Sequence, residues 1–435
     1  MSAEILTGQV LLTEADPFEV PPEEALRVER RGAVAVEGGL IVAAGSVGAV
    51  RDAHPDAAVT SFGDALIGPG FVDAHAHTPQ TGIVASWGSR LLDWLERHTF
   101  PEEARCADPE HAARVAALHL DLLLAHGTTS VASFCTSHET SVDAFFAAAE
   151  SRGMRVAGGL TCMDRHVPGA LLIGAREAYD ASKALIGRWH GRGRATYAVT
   201  PRFAPTSTPA QLEALGALWA EEPSCLMQTH LSEQVEEVAW VADLFPDAPD
   251  YLGVYERFGL LGPGALFGHA IHLTPRERAM LAESGSATVH CPTSNGFIGS
   301  GLMDVARTRA DGIAVGLATD TGGGSSFSML RTMAAAYEVG QLTGTALHPA
   351  QLLWLATEGS ARAMRIEERV GRIAPGLEAD LTVLDLASNS AIAQRAARAE
   401  DAWGTIFPTI MMGDDRAVVA TYVAGRRVGP PPARR

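Results

Sequence analysis

Two histidines separated by one alanine, His75-Ala76-His77, follow the apolar run FVDA. Residues i and i+2 of an extended strand share a face, so both imidazoles point to one side. Two imidazoles on one strand can begin a metal site. A lone H-x-H recurs by chance and more often marks packed or surface histidines. Here other polar residues stand at the ends of other expected strands: His230, His269, His290 and Asp320. Nitrogen and oxygen donors without thiolate suit Zn2+, one ion per chain, with Fe2+ as the alternative. His75, His77, His230 and Asp320 are the expected ligands. The open position holds water, whose pKa falls toward about 7 on zinc. His269 is either a fifth ligand or, as expected here, the hydrogen-bond partner that orients that water. Asp320 can accept the water's proton while bound, and this is compatible with its capping the turn that begins TGGGSS.

Glu233 lies three residues after His230 in THLSE. Its position alone leaves two readings: a proton shuttle, or an ordinary first-turn helix glutamate. Arg202-Phe203 ends another strand and offers planar donors beside a stacking face. Gln80 can both donate to and accept from an amide-like edge. Together these three suit a planar heterocycle carrying a carbonyl, against the plainer readings of a surface ion pair and a loop glutamine. The run Gly322-Gly323-Gly324 lets the chain pass close to the metal rather than cradling a phosphate. Cys291, beside His290, reads as a packed thiol.

These residues need a frame that brings strand ends together. The middle of the chain alternates β-branched runs with Ala/Leu-rich runs of helical period. The expected strands cover 65–77, 127–134, 155–161, 195–203, 224–231, 265–272, 286–292 and 313–320. Many of the intervening stretches open near Ser, Thr or Asp and close on Gly, as helix caps do. Eight strands each followed by helix predict an α/β fold, a (β/α)8 TIM-type barrel, whose active site lies at the C-terminal ends of its strands. The two flanks read as short strands and turns. Each is too small to hold much core alone, so both chain ends are expected to build one small β-sandwich. The expected division is 1–67 and 366–435 for the sandwich and 68–365 for the metal-dependent barrel. The long segment 78–126 after the first barrel strand is the candidate for closing the site.

Composition narrows the function. The 435 residues carry a formal net charge of -17, so nothing in the balance favours nucleic acid as a partner. Lys183 is the only lysine. That excludes a P-loop, and its surface-helix context argues against Schiff-base chemistry. The cysteines Cys106, Cys135, Cys162, Cys225 and Cys291 form no C-x-x-C pair. A thiolate zinc site is therefore not indicated, and a reducing, cytoplasmic location is expected. The N-terminal stretch lacks a basic n-region, so no signal peptide is expected. No run is long enough to span a membrane.

Seven segments resemble motifs of the amidohydrolase superfamily: PGFVDAHAHTPQ (69–80), LLDWLERHTFPEE (91–103), MDRHVPGAL (163–171), TPRFAPTSTPAQL (200–212), MQTHLSE (227–233), HCPTSN (290–295) and LATDTGGGSSFSML (317–330). The second and fourth are narrower and resemble its guanine deaminase family. The resemblance implies a mononuclear zinc enzyme that converts guanine to xanthine and ammonia in purine catabolism. It implies His75, His77, His230 and Asp320 as ligands and Glu233 with Asp320 as the proton-transfer pair, His269 assisting. It places Gln80 and Arg202 on a small purine, with Phe203 in its pocket, and suggests a cytosolic homodimer. The single lysine agrees, because members with two bridged metals use a carboxylated lysine at a strand end. Two alternatives remain open at this level. One is a deaminase of a related heterocycle, 8-oxoguanine or a pterin; the other is a non-catalytic assembly protein that keeps the barrel.

Overall fold

The strands expected from the alternating pattern form in order, seven of them within three residues of their expected bounds; the first, expected over 65–77, is split, with Phe71–His77 in the barrel and the residues before Gly70 in a strand of the other sheet. The structure, a computed structural model, describes residues 3–88 and 91–428. The C-terminal tail GPPPARR lies outside the described residues, as do residues 89 and 90 of the candidate closing segment. The chain divides into two compact units, 1–73 with 121–130 and 328–435, and 74–120 with 131–327.

The chain begins with β1 (Glu4–Thr13), β2 (Leu26–Glu37), β3 (Leu40–Ser46) and β4 (Ala58–Pro69). The barrel strands follow: β5 (Phe71–His77), β6 (Thr128–Phe134), β7 (Arg155–Gly159), a short β8 (Thr161–Cys162), β9 (Ala195–Pro201), β10 (Leu226–Leu231), β11 (Ala265–His269), β12 (Ala287–His290) and β13 (Ala314–Leu317). The chain ends with β14 (Leu381–Leu384), β15 (Val418–Val423) and β16 (Arg426–Arg427).

Both chain ends enter one seven-stranded sheet, in the order β16-β15-β14-β4-β1-β2-β3. The expected two layers are thus one continuous hydrogen-bonded sheet. Register shifts at Gly8/Val10 in β1 and Ala35/Val36 in β2 mark irregularities that bend it. Leu6, Val10, Val34, Ile67, Leu381 and Tyr422, drawn from five strands, then share a single buried cluster.

The barrel order is β13-β12-β11-β10-β9-β7-β6-β5, with β8 beside β9. Pairing is parallel from β7 through β13. The connecting helices start and stop where their caps dictate. Thr274 and Glu277 form a capping box before Pro275–Ser284, and Gly285 ends that helix at φ 71. Thr208 caps Pro209–Glu221 in the same way, accepting from the Gln211 backbone N–H. The ring is tied between its first and last strands by backbone bonds. Asp320 N donates to His75 O at 2.9 Å, and His77 N donates to Thr321 O at 2.8 Å. No helix among the described residues is long and apolar enough to cross a membrane.

Candidate active site

The chain leaves several barrel strands through costly backbone, at the points where the polar side chains stand. Ser232 (φ 48), His269 (φ 68), Ala270 (φ 48) and Asp320 (φ 48) all adopt left-handed conformations. Each costs of the order of 1–3 kcal/mol, and such strain tends to collect at functional sites. A close approach is built in as well. A Cβ at Gly268 would come 2.8 Å from the His75 ring, so only glycine lets β11 pass the first histidine.

The structure brings together the residues singled out as ligands. His75 Nε2 lies 3.4 Å and His77 Nε2 3.3 Å from Asp320 Oδ1. His230 Nε2 lies 3.2 Å from His77 Nε2. Donors about 2.0–2.1 Å from one tetrahedral ion stand about 3.3 Å from each other. The tautomer of His230 is fixed by chemistry. Its Nδ1 is 2.7 Å from the Arg202 carbonyl oxygen, which can only accept. Nδ1 therefore carries the hydrogen, and Nε2 turns a lone pair toward the cluster. Burial holds His230 well below the ordinary imidazole range, with the neighbouring imidazoles adding to the effect. A neutral imidazole lone pair aimed at other donors is what a cation would satisfy, so the residues present fit a single N/O-ligated divalent ion. His75, His77 and Asp320 form one candidate metal-holding group, and His75, His230 and His269 form another.

His269 sits between the acids. Its Nδ1 meets Asn295 Oδ1 at 2.8 Å, and its Nε2 is 3.5 Å from Glu233 and 3.7 Å from Asp320. Burial alone would lower its pKa, but the Glu233 and Asp320 charges, the Asn295 hydrogen bond and the Glu237 charge together raise it. Glu233 is buried and accepts from Ser300 Oγ at 2.7 Å. Burial pushes its carboxyl up, and the neighbouring Asp320 adds to the rise while His269 opposes it. Burial also acts to raise Asp320, yet hydrogen bonding with His75 and His77 holds that carboxyl well below its usual value. Two acids that both face His269 are thereby pushed in opposite directions, a pattern that separates a proton donor from an acceptor.

A cavity opens on this cluster. Of the nine residues singled out from sequence, eight line it, and His75 stands behind them. Gln80, Arg202 and Phe203 line it together with Trp94 and Leu95 from the segment after β5. Phe203 stands 6.4 Å from the His230 ring, centroid to centroid. His290 does not reach the cavity. Both its ring nitrogens are buried with no hydrogen-bond partner among the described residues, and burial lowers it to about 3. Cys291 is a buried thiol that donates to Val289 O at 3.6 Å.

Three contributors escaped the sequence reading. Asn295 and Ser300 hold His269 and Glu233. Glu103 is fully buried and bonds both Gln80 and Arg202. The only signal for Glu103 was its place in LLDWLERHTFPEE, where it stands next to Glu102. Helical geometry turns adjacent residues about 100° apart. Glu102 accordingly pairs with Arg105 at 2.7 Å, while Glu103 turns inward.

A parallel barrel with imidazoles and a carboxylate gathered at the carboxyl ends of its strands defines a class of metal-assisted hydrolases. The chain belongs to the amidohydrolase family, whose profile matches residues 66–428. It is 42% identical over 370 residues to a guanine deaminase of Escherichia coli (strain K12), covering 85% of this chain and 84% of that protein. It is 40% identical over 429 residues to a probable guanine deaminase of Deinococcus radiodurans, covering 97% of both. Among solved structures, the guanine deaminase from C. acetobutylicum with bound guanine in the active site superposes with a TM-score of 0.89. The identity is 27%, over 98% of this chain and 100% of that one.

Proposed function

We propose that this protein hydrolyses the exocyclic amine of guanine, giving xanthine and ammonia. The observation that carries this reading is a single cavity joining the imidazole–carboxylate cluster to Gln80 and Arg202. The near full-length similarity to guanine deaminases supports it. His75, His77, His230 and Asp320 would hold one zinc ion. When bound, the metal acidifies water and makes a nucleophile available at neutral pH.

The chain's own groups do the rest. Arg202 donates to the ring carbonyl, Gln80 meets the adjoining N–H, and Phe203 packs on the flat ring. Glu233, its carboxyl raised by burial, is the group that donates a proton to the ring nitrogen beside the amine-bearing carbon. That carbon becomes electrophilic, and water adds to it as the water's proton passes to Asp320. His269 orients the incoming water. Asp320 then gives its proton to the amine while Glu233 takes the proton left on the new hydroxyl, so that the C–N bond breaks, ammonia leaves and the second carbonyl of xanthine forms. The buried setting strengthens each of these charge interactions. In the same reading the enzyme is a cytoplasmic homodimer acting in purine catabolism.

The deciding experiment follows ultraviolet absorbance and ammonia release with zinc-loaded protein and guanine, with 8-oxoguanine and isoxanthopterin in parallel. Guanine should be the best substrate. Turnover of isoxanthopterin with none of guanine would assign the site to a pterin instead, and no turnover of any ring would refute the catalytic reading.

A further inference from the structure

Glu103 lies on the short helix Phe100–Ala104 and is fully buried, but it is not part of the cavity wall. It accepts three hydrogen bonds. Gln80 Nε2 donates to its Oε1 at 2.9 Å, and Arg202 NH1 donates to Oε1 at 2.9 Å and to Oε2 at 2.7 Å. The Arg202 guanidinium also lies over the Phe100 ring, 5.6 Å from its centroid. Arg202 and Gln80 are 3% exposed each.

A carboxylate paired with arginine can only accept. The side of the Gln80 amide that faces Glu103 must therefore be its NH2 group. This settles the amide orientation by chemistry. The carbonyl oxygen Oε1 is then the atom left to offer, and no donor among the described residues meets it. The backbone of Gly322 closes the other side of the amide, since a Cβ there would come 2.3 Å from Oε1. A flipped Gln80 would place its oxygen against a carboxylate oxygen of Glu103. Arg202 uses NH1 on Glu103, which leaves NH2 and Nε as donors.

We infer that Glu103 is a positioning residue that sets the polarity with which the cavity reads its substrate, and thereby restricts it to rings presenting a lactam edge. The wall offers one acceptor, from Gln80, beside one donor set, from Arg202. A ring N–H next to a ring C=O satisfies both. An amidine edge, with a ring nitrogen acceptor next to an exocyclic amine, is opposed at both points. The ligand class is thus an amino-substituted cyclic amide, and this deepens the deaminase reading above, on which it rests. Sites built to pair a polar edge reject the mismatched analogue strongly, because their own buried groups are left unpaired.

The test compares guanine with diaminopurine, which keeps the reacting amine but replaces the carbonyl with a second amine. Equilibrium binding and turnover are both measured, so that the lock is read even if no ammonia is released. Wild-type protein should favour guanine by about 1,000-fold or more. In Glu103→Gln, whose amide can face either way, that preference should narrow by about 30-fold or more, mainly through a rise in KM for guanine. A merely structural role would weaken both rings alike and leave the ratio unchanged, which overturns the proposal. So does a wild-type protein that binds both rings equally. Because Glu103→Gln leaves a buried guanidinium without its partner, Gln80→Met serves as the second variant. It keeps the ion pair and removes the acceptor. An unchanged ratio in Gln80→Met would also refute the lock. Clear discrimination in binding with no ammonia release would instead refute the deaminase reading alone.

Discussion

The two ends of the cavity solve burial in opposite ways. At one end, His75, His77, His230 and Asp320 converge with donor atoms 3.2–3.4 Å apart and a lone pair turned inward. That end offers a donor set suited to a cation. At the other end, Arg202 and Glu103 neutralise each other at 2.7 Å, and Gln80 is bonded to the same carboxylate. That end is complete as it stands and waits for a ring edge rather than an ion. Reactivity and recognition are therefore separable in this protein. The first should depend on metal and on proton positions, the second on fixed hydrogen-bond polarity.

Substitutions at the reactive end should give the largest effects. Glu233→Gln should retain metal and lower kcat by about 1,000-fold or more, because it removes the proton donor without touching the ligands. Metal analysis of the purified variant beside a steady-state assay checks this, and normal turnover would sink the assignment of Glu233. His230→Ala should instead lose the ion itself. The same contrast appears in stability: stripping the metal with a chelator should lower the melting temperature. The loss is about 4 kcal/mol where zinc had been present at about 1,000 times its Kd. Arg202→Met should leave metal content and the chelator response unchanged, which a differential scanning experiment on both proteins would reveal.

Glu237 offers a smaller, pH-dependent test next to the reactive end. It is buried, accepts from Tyr251 Oη at 2.7 Å and from the Glu233 backbone N–H at 2.9 Å. Burial, with Glu233 nearby, raises it to about 7. The folded protein thus holds a proton that the unfolded chain releases above about pH 4.3. The sign follows: this group favours folding most below that pH, and its contribution fades as pH rises through about 7. It amounts to at most about 4 kcal/mol. Denaturation of the metal-free protein across this window should show a decline that Glu237→Gln lacks. At the bottom of the scale stands Lys183, which pairs with Glu221 on the surface. Lys183→Met should change neither melting temperature nor activity measurably.

The repeating layout was legible because barrel strands leave a local pattern. β6 and β9 begin within a residue of their expected starts, and β12 and β13 lie inside their expected runs. The chain-end sheet was legible as strands but not as an arrangement. β1 pairs β2 antiparallel and β4 parallel, while β4 takes β14 from far along the chain. Such register is a long-range property that no local alternation encodes. Glu233 shows the limit for a single residue. Its position after His230 left a helix-start glutamate equally plausible, and its burial beside His269 is visible only in the fold. Asn295 and Ser300 lay in segments whose own composition gave no sign of the contacts they make.

By itself, the sequence determined which chemistry this chain can carry: imidazole and carboxylate donors at strand ends, a lone lysine outside any strand end, and planar donors beside an aromatic ring. Those are properties of residue type and spacing. Folding alone decided which of two adjacent glutamates turns inward, which face of the Gln80 amide is offered, and which acid's carboxyl is raised and which lowered. Those outcomes depend on groups brought within hydrogen-bond distance from elements far apart in the chain, and on the loss of water that gives such contacts their strength.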